Sequence, residues 1–157
     1  MKKRSAYRPK PVFANPLAYV LESMVPVSRH DSYLLDMKIK NHGAMSSLTQ
    51  GSATRRDLDV LITMVNITEA LYRMGFGEEY GHIVRQGQDA LHRVGVRGVE
   101  SNRFTLKAQE MSHLNDIMEL HDAQMDLITI KDMERAMELI KKEFVQKKMR
   151  PILEKTA

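Results

Sequence analysis

In the C-terminal third of the chain, apolar residues and one histidine recur at spacings of three and four. This pattern is the feature of the sequence that most constrains its fold. Between residues 105 and 128 this spacing runs unbroken for nearly three heptads, which predicts a helix that packs one face against other helices. We call its six positions the 111–128 seam. They are Met111, Leu114, Met118, His121, Met125 and Ile128.

The same spacing resumes after a phase slip at Thr129, with Met133, Met137, Ile140 and Phe144. Thr129 and Asp132 stand at the spacing of a capping box, the arrangement that starts a helix. Residues 105–148 therefore form either a tight helical hairpin or one long helix with a kink. The phase slip favours the break.

The rest of the chain has helical periodicity and no clean strand alternation. It predicts helices over residues 16–24, 30–49, 55–74 and 78–94. The helix at 55–74 is apolar nearly all round and is expected at the centre of the fold. Gly95 and Gly98 predict a loop, and Thr105 predicts the next N-cap.

The predicted fold class is all-α, a single-domain bundle of five or six helices. Residues 1–12 are expected to form a disordered basic arm, because they combine lysines and arginines with two prolines. Residues 13–150 form the helical bundle, and residues 151–157 form a C-terminal tail.

The positive charge lies almost entirely at the two ends of the chain. Residues 1–10 hold five bases and no acid, and residues 141–157 hold six bases and two acids, so residues 11–140 carry a net charge of −5. Such ends can contact nucleic acid or another anionic partner without a pocket, or can simply keep the chain in solution. The candidate contacts are Lys2, Lys3, Arg4, Arg8, Lys10, Lys141, Lys142, Lys147, Lys148 and Arg150.

Several classes of site and location are excluded or disfavoured by composition. The chain has no cysteine, which excludes disulfides, thiolate nucleophiles and cysteine metal ligands. No apolar run approaches the ~20 residues of a membrane span. No apolar segment follows the basic N-terminus, so we do not expect a secretory signal. We expect a cytoplasmic location.

Two pairs of residues have the Glu-x-x-His spacing that ferritin-like bundles use to hold two metal ions. They are Glu79 with His82, and Glu110 with His113. The further glutamates that such a site needs do not stand in the expected register. We therefore favour charged pairs on helix surfaces.

His121-Asp122 is the second candidate for metal chemistry, since metal phosphohydrolases of the HD type use adjacent histidine and aspartate. Its partners would be His82 or His92, with Asp126 or Asp132. These stand at no diagnostic distance along the chain. The favoured interpretation is a histidine packed at a helix contact, bonded to Asp122, Asp116 or a neighbouring helix.

No glycine-rich phosphate loop or nucleophile elbow is present in the sequence. We therefore expect a protein without enzymatic activity and without a cofactor, which binds a partner protein, with nucleic-acid contact through the basic ends as the alternative. A metal-dependent helical enzyme is the further alternative. The 111–128 seam would be either intramolecular core or the interface of a homodimer.

Two stretches, MVNITEALYRMGFGEEY at residues 64–80 and HDAQMDLITIKDMERAMELIKKE at residues 121–143, resemble small helical proteins encoded by phages and prophages of proteobacteria. This resemblance implies a mobile-element origin and a bacterial host cytoplasm. It also implies a non-enzymatic accessory or regulatory role, and it carries no functional motif.

Overall fold

The computed structural model describes residue 21, residues 23–27 and residues 31–146, and these residues form five α-helices. The helices are α1 (Asp31–Thr49), α2 (Arg55–Arg73), α3 (Gly81–Ser101), α4 (Ala108–Leu127) and α5 (Ile130–Val145). A short 3-10 helix, Glu78–Tyr80, precedes α3. The predicted all-α, single-domain fold is confirmed.

Helix α2 is the central element, as its apolar sequence predicts, because it packs against all four other helices. Leu58 and Leu61 pack into a core shared with α1, α3 and α4. Almost three turns further on, Leu71 packs into a second core shared with α5. The helix begins at a capping box in which the Asp57 carboxylate accepts the backbone N–H of Thr54 at 2.7 Å and its hydroxyl at 2.8 Å.

Helix α3 continues to Ser101, so the loop predicted at Gly95 and Gly98 is wrong. Both glycines are buried inside the helix. A Cβ at position 98 would lie 2.0 Å from Cδ1 of Phe104, so the absent side chain makes room for this ring. Packing against Phe104 has therefore overridden the weak helical preference of glycine.

The next helix begins two residues later than predicted. Lys107, not Thr105, is the N-cap of α4, and the Glu110 carboxylate accepts its backbone N–H at 2.9 Å.

A break at Ile128 and Thr129 separates α4 from α5, as the phase slip predicts. Thr129 and Asp132 form the predicted capping box. The break also pairs with an N-terminal segment, since the Val27 N–H donates to Ile128 O at 3.0 Å and the Ile130 N–H donates to Val25 O at 3.1 Å. Helix α5 then packs mainly on α2.

Several predicted features lie wholly or mostly outside the described residues. They are the arm at 1–12, the helix at 16–24 and the tail at 151–157. Within the part of the chain that the structure describes, no helix is both long enough and apolar enough to cross a membrane.

Candidate functional site

The 111–128 seam lies inside the monomer. Five of its six side chains are buried against other helices of the same chain, and only Met111 stays at the surface with 36% of its area exposed. The alternative that this seam forms a dimer interface therefore has to be corrected. Its side chains are already covered by helices of the same chain and offer almost no area to a second one.

His121 is buried in this seam and contacts a neighbouring helix, as one of the predicted alternatives has it. Its Nδ1 lies 3.0 Å from the hydroxyl of Thr68, and that hydroxyl donates its single hydrogen to Met64 O at 2.9 Å. With that hydrogen on Met64 O, the histidine donates from Nδ1, and Nε2 carries a lone pair. Nε2 is buried without a hydrogen-bond partner.

This arrangement keeps His121 neutral. Burial lowers its pKa to about 4, because a proton on Nε2 would place a charge in the core without an acceptor. Gln124, one turn further along α4, donates to Thr68 O at 3.2 Å and to Phe76 O at 2.9 Å. His121 and Gln124 thus hold α4 against α2, and Gln124 also holds it against the turn that follows α2.

The neighbour of His121 does not join it in an HD-type site. Asp122 accepts from His42 Nε2 at 3.0 Å, and Asp126 lies 4.0 Å from Lys38 Nζ. Both aspartates therefore pair with α1 at the surface.

Glu110 is buried and held by arginine, not by a second metal ligand. Arg97 donates to its two carboxylate oxygens at 2.8 and 2.6 Å and also to Thr105 O at 2.9 Å, while Arg93 lies 3.6 Å away. Burial opposes ionisation of Glu110, but the bonds from Arg97 and from the Lys107 N–H outweigh it and hold the pKa below its ordinary value. This ion pair joins α3 to the start of α4.

The other three residues of the predicted metal pairs are not part of this ion pair. Glu79 is exposed in the 3-10 helix and His82 is exposed at the start of α3, while His113 lines a surface pocket beside Glu110. Among residues 21, 23–27 and 31–146, no three histidines or acids stand together as metal ligands.

An apolar groove of about 700 Å³ lies between α5 on one side and Val27 and the first turn of α1 on the other. Its apolar lining is Val27, Tyr33, Ile130, Met133 and Met137. The side chains of Glu134 and Glu138 complete the wall.

The groove is open to solvent, and Met137 has 47% of its area exposed. The sequence predicted the helical spacing of Met133 and Met137. It gave no sign that Val27 and Tyr33, some hundred residues earlier in the chain, would lie against them.

The C-terminal end of α5 carries a second exposed apolar group. Phe144 and Val145 have 74% and 72% of their areas exposed. Phe144 stands seven residues after Met137 and fourteen after Ile130, so these three side chains lie along one line of the helix surface. One flank of α5 is thus apolar over its whole length and only partly covered.

Two of the ten predicted basic contacts lie on the same helix, since Lys141 and Lys142 are exposed on α5. The other eight lie outside the described residues: Lys2, Lys3, Arg4, Arg8, Lys10, Lys147, Lys148 and Arg150.

Comparison of this chain with protein-family models, with characterised proteins and with solved structures finds no match.

Proposed function

We propose that this protein acts by binding another protein chain through the apolar groove beside α5, as an accessory or regulatory protein of a phage or mobile element. The single observation that carries the proposal is this groove, with an apolar wall and two carboxylates open to solvent. The resemblance to small phage-encoded helical proteins supports the cytoplasm of a bacterial host as the place where the partner is met.

The energetics favour a protein partner at this surface. Burying apolar area contributes about 25 cal/mol per Å², and a methionine side chain that becomes fully buried contributes about 1.5–3 kcal/mol. Tyr33 and Met137 are both half exposed in the groove and gain from such burial. The carboxylates of Glu134 and Glu138 restrict the partner to one that brings cations or hydrogen-bond donors to the same edge.

A pair of methionine variants tests the proposal. Met137→Glu puts a charge in the groove, and Met111→Glu is the matched control, because Met111 is exposed to a similar extent at the far end of α4. Immobilised wild type retains proteins from a host lysate, which are identified, and binding of the purified partner is then measured for wild type and for each variant. We expect Met137→Glu to raise Kd by about tenfold or more and Met111→Glu to leave it unchanged.

Unfolding midpoints of both variants establish that the fold persists. Equal binding of the purified partner by wild type and Met137→Glu, with the fold intact, would contradict the proposal.

Nucleic-acid binding is the second candidate, and the charge distribution favours it. The ends of the chain are strongly basic, the body between them is acidic, and Lys141 and Lys142 are exposed. Contact with five or six phosphates weakens by orders of magnitude between low and physiological salt. Binding of a labelled duplex should therefore fall steeply with salt and be lost when residues 1–10 and 147–157 are deleted. Equal affinity of the shortened chain would exclude the ends as the contact.

A further inference from the structure

We infer that the groove beside α5 is occupied by α5 of a second copy of this chain, with the two helices antiparallel. The inference rests on the proposed function, since it names the occupant of the same groove. Two features of α5 support it, one of shape and one of charge.

The shape of α5 is complementary to itself. The groove lies along its first half, at Ile130, Met133 and Met137, and the exposed pair Phe144 and Val145 lies at its other end. Fourteen residues separate Ile130 from Phe144, which is about 21 Å along a helix. A two-fold axis near Met137 reverses the second helix and brings the exposed pair of each copy to the groove of the other.

A parallel arrangement does not achieve this match. It places Phe144 beside Phe144 of the partner subunit and leaves both grooves empty. The antiparallel arrangement buries the exposed apolar groups and fills both grooves at once, and it uses the same surface of each copy, as a two-fold interface requires.

The charges that border this apolar flank select the same arrangement. Glu134 and Lys141 are separated by seven residues and stand on either side of Met137. With the axis near Met137, Glu134 faces Lys141 of the partner subunit, and Lys141 faces the partner's Glu134. In a parallel pair the two copies of these residues lie on opposite sides of the contact, so Glu134 meets no Lys141 there. Flanking charges of this kind set the orientation of paired helices.

Charge exchange provides a sharp test, with sedimentation equilibrium as the measurement. Wild type should dimerise reversibly at protein concentrations up to about 1 mM. Glu134→Lys and Lys141→Glu each replace two attractions by two repulsions, so each alone should dimerise at least about tenfold more weakly. Both positions are exposed, and circular dichroism should show an unchanged fold.

Restored pairing is the decisive result. An equimolar mixture of Glu134→Lys and Lys141→Glu regains opposite charges at both contacts and should form a heterodimer. The double variant Glu134→Lys/Lys141→Glu should dimerise like wild type. On one helix these residues are two turns apart, so a charge effect within one chain does not produce this pattern.

Each outcome decides the matter. A wild-type chain that stays monomeric at 1 mM overturns the inference, as does a dimer that neither single exchange weakens or that the mixture fails to restore. If the wild type is monomeric while Met137→Glu still loses a purified foreign partner, the groove binds another protein: the proposed function stands and the self-pairing falls. If the exchanges behave as expected and no foreign partner is found, the groove serves self-association.

Discussion

The buried His121 should make this protein lose stability as the pH falls from 7 to 5. Its folded-state pKa is about 4 against 6.5 for a free histidine. Between these two values the unfolded chain binds a proton that the folded chain refuses, so acid favours unfolding. Stability from this source is fully present above pH 6.5 and is lost as the pH falls towards 4.

The size of the effect follows from the pKa difference. Each pKa unit corresponds to about 1.4 kcal/mol, so the full effect at pH 4 is about 3 kcal/mol, of which about 2 kcal/mol is lost between pH 7 and pH 5. Three charged or titratable groups facing the ring shape the value: Asp122 on the same helix raises the pKa, and Lys38 and His42 on α1 lower it.

The assay compares urea unfolding of wild type and His121→Leu at pH 7, 6 and 5. The variant removes the titrating ring, and Thr68 still donates its hydroxyl hydrogen to Met64 O. We expect the advantage of wild type over the variant to shrink by about 2 kcal/mol from pH 7 to pH 5. Met125→Leu, one turn away in the same core, serves as the control, because it alters packing without removing a titrating group.

Parallel pH dependences of wild type and His121→Leu would refute this reasoning. So would an NMR titration in which the His121 ring takes up a proton near pH 6.5 in the folded protein.

Three further substitutions test contacts between helices, each by urea or thermal unfolding. Gly87→Ala should lower the free energy of unfolding by about 1–3 kcal/mol, because the new Cβ would lie 2.7 Å from the Ile117 side chain. This loss should exceed the gain from the better helix propensity of alanine. An unchanged midpoint would show that α3 and α4 separate freely. Glu110→Gln should lower the free energy of unfolding by about 2 kcal/mol, because the neutral amide keeps only one of the two oxygens that accept from Arg97. A loss absent in an Arg97→Met background would localise the effect to this pair. Thr129→Ala should lower the free energy of unfolding by about 1 kcal/mol, because α5 loses its N-cap. An unchanged stability would mean that tertiary contacts alone hold this end of the helix.

Local features of the fold were predictable because their causes are local. The central place of α2 follows from its apolar surface, which is stable only when other helices bury it. The helix starts at Thr54 and Thr129 follow from a hydroxyl and a carboxylate three residues apart, which form a capping box. The position of His121 at a helix contact followed from its place in the seam. Its partner Thr68, fifty-three residues away, did not.

The errors have non-local causes. Gly98 looks like a helix end in sequence, and only the ring of Phe104 packed against it explains why α3 continues. Glu110 was expected on a helix surface, and only the turn between α3 and α4 buries it and brings Arg97 to its carboxylate. In both cases the residue type was identified correctly, and a side chain brought in by the tertiary fold decided what it does.

Helices α4 and α5 carry the same three-and-four spacing, but the fold covers them to different extents. Helix α4 packs against both α2 and α3, so its seam is covered from both sides. Helix α5 packs mainly on α2, so Met133 is buried while Met137 and Phe144, on the adjoining line of the helix, stay exposed. A heptad pattern thus predicts that a helix packs against other helices. The number of neighbouring helices in the fold decides how much of its apolar surface stays exposed. In the C-terminal pair of helices that the structure describes, the part left exposed is the outer flank of α5.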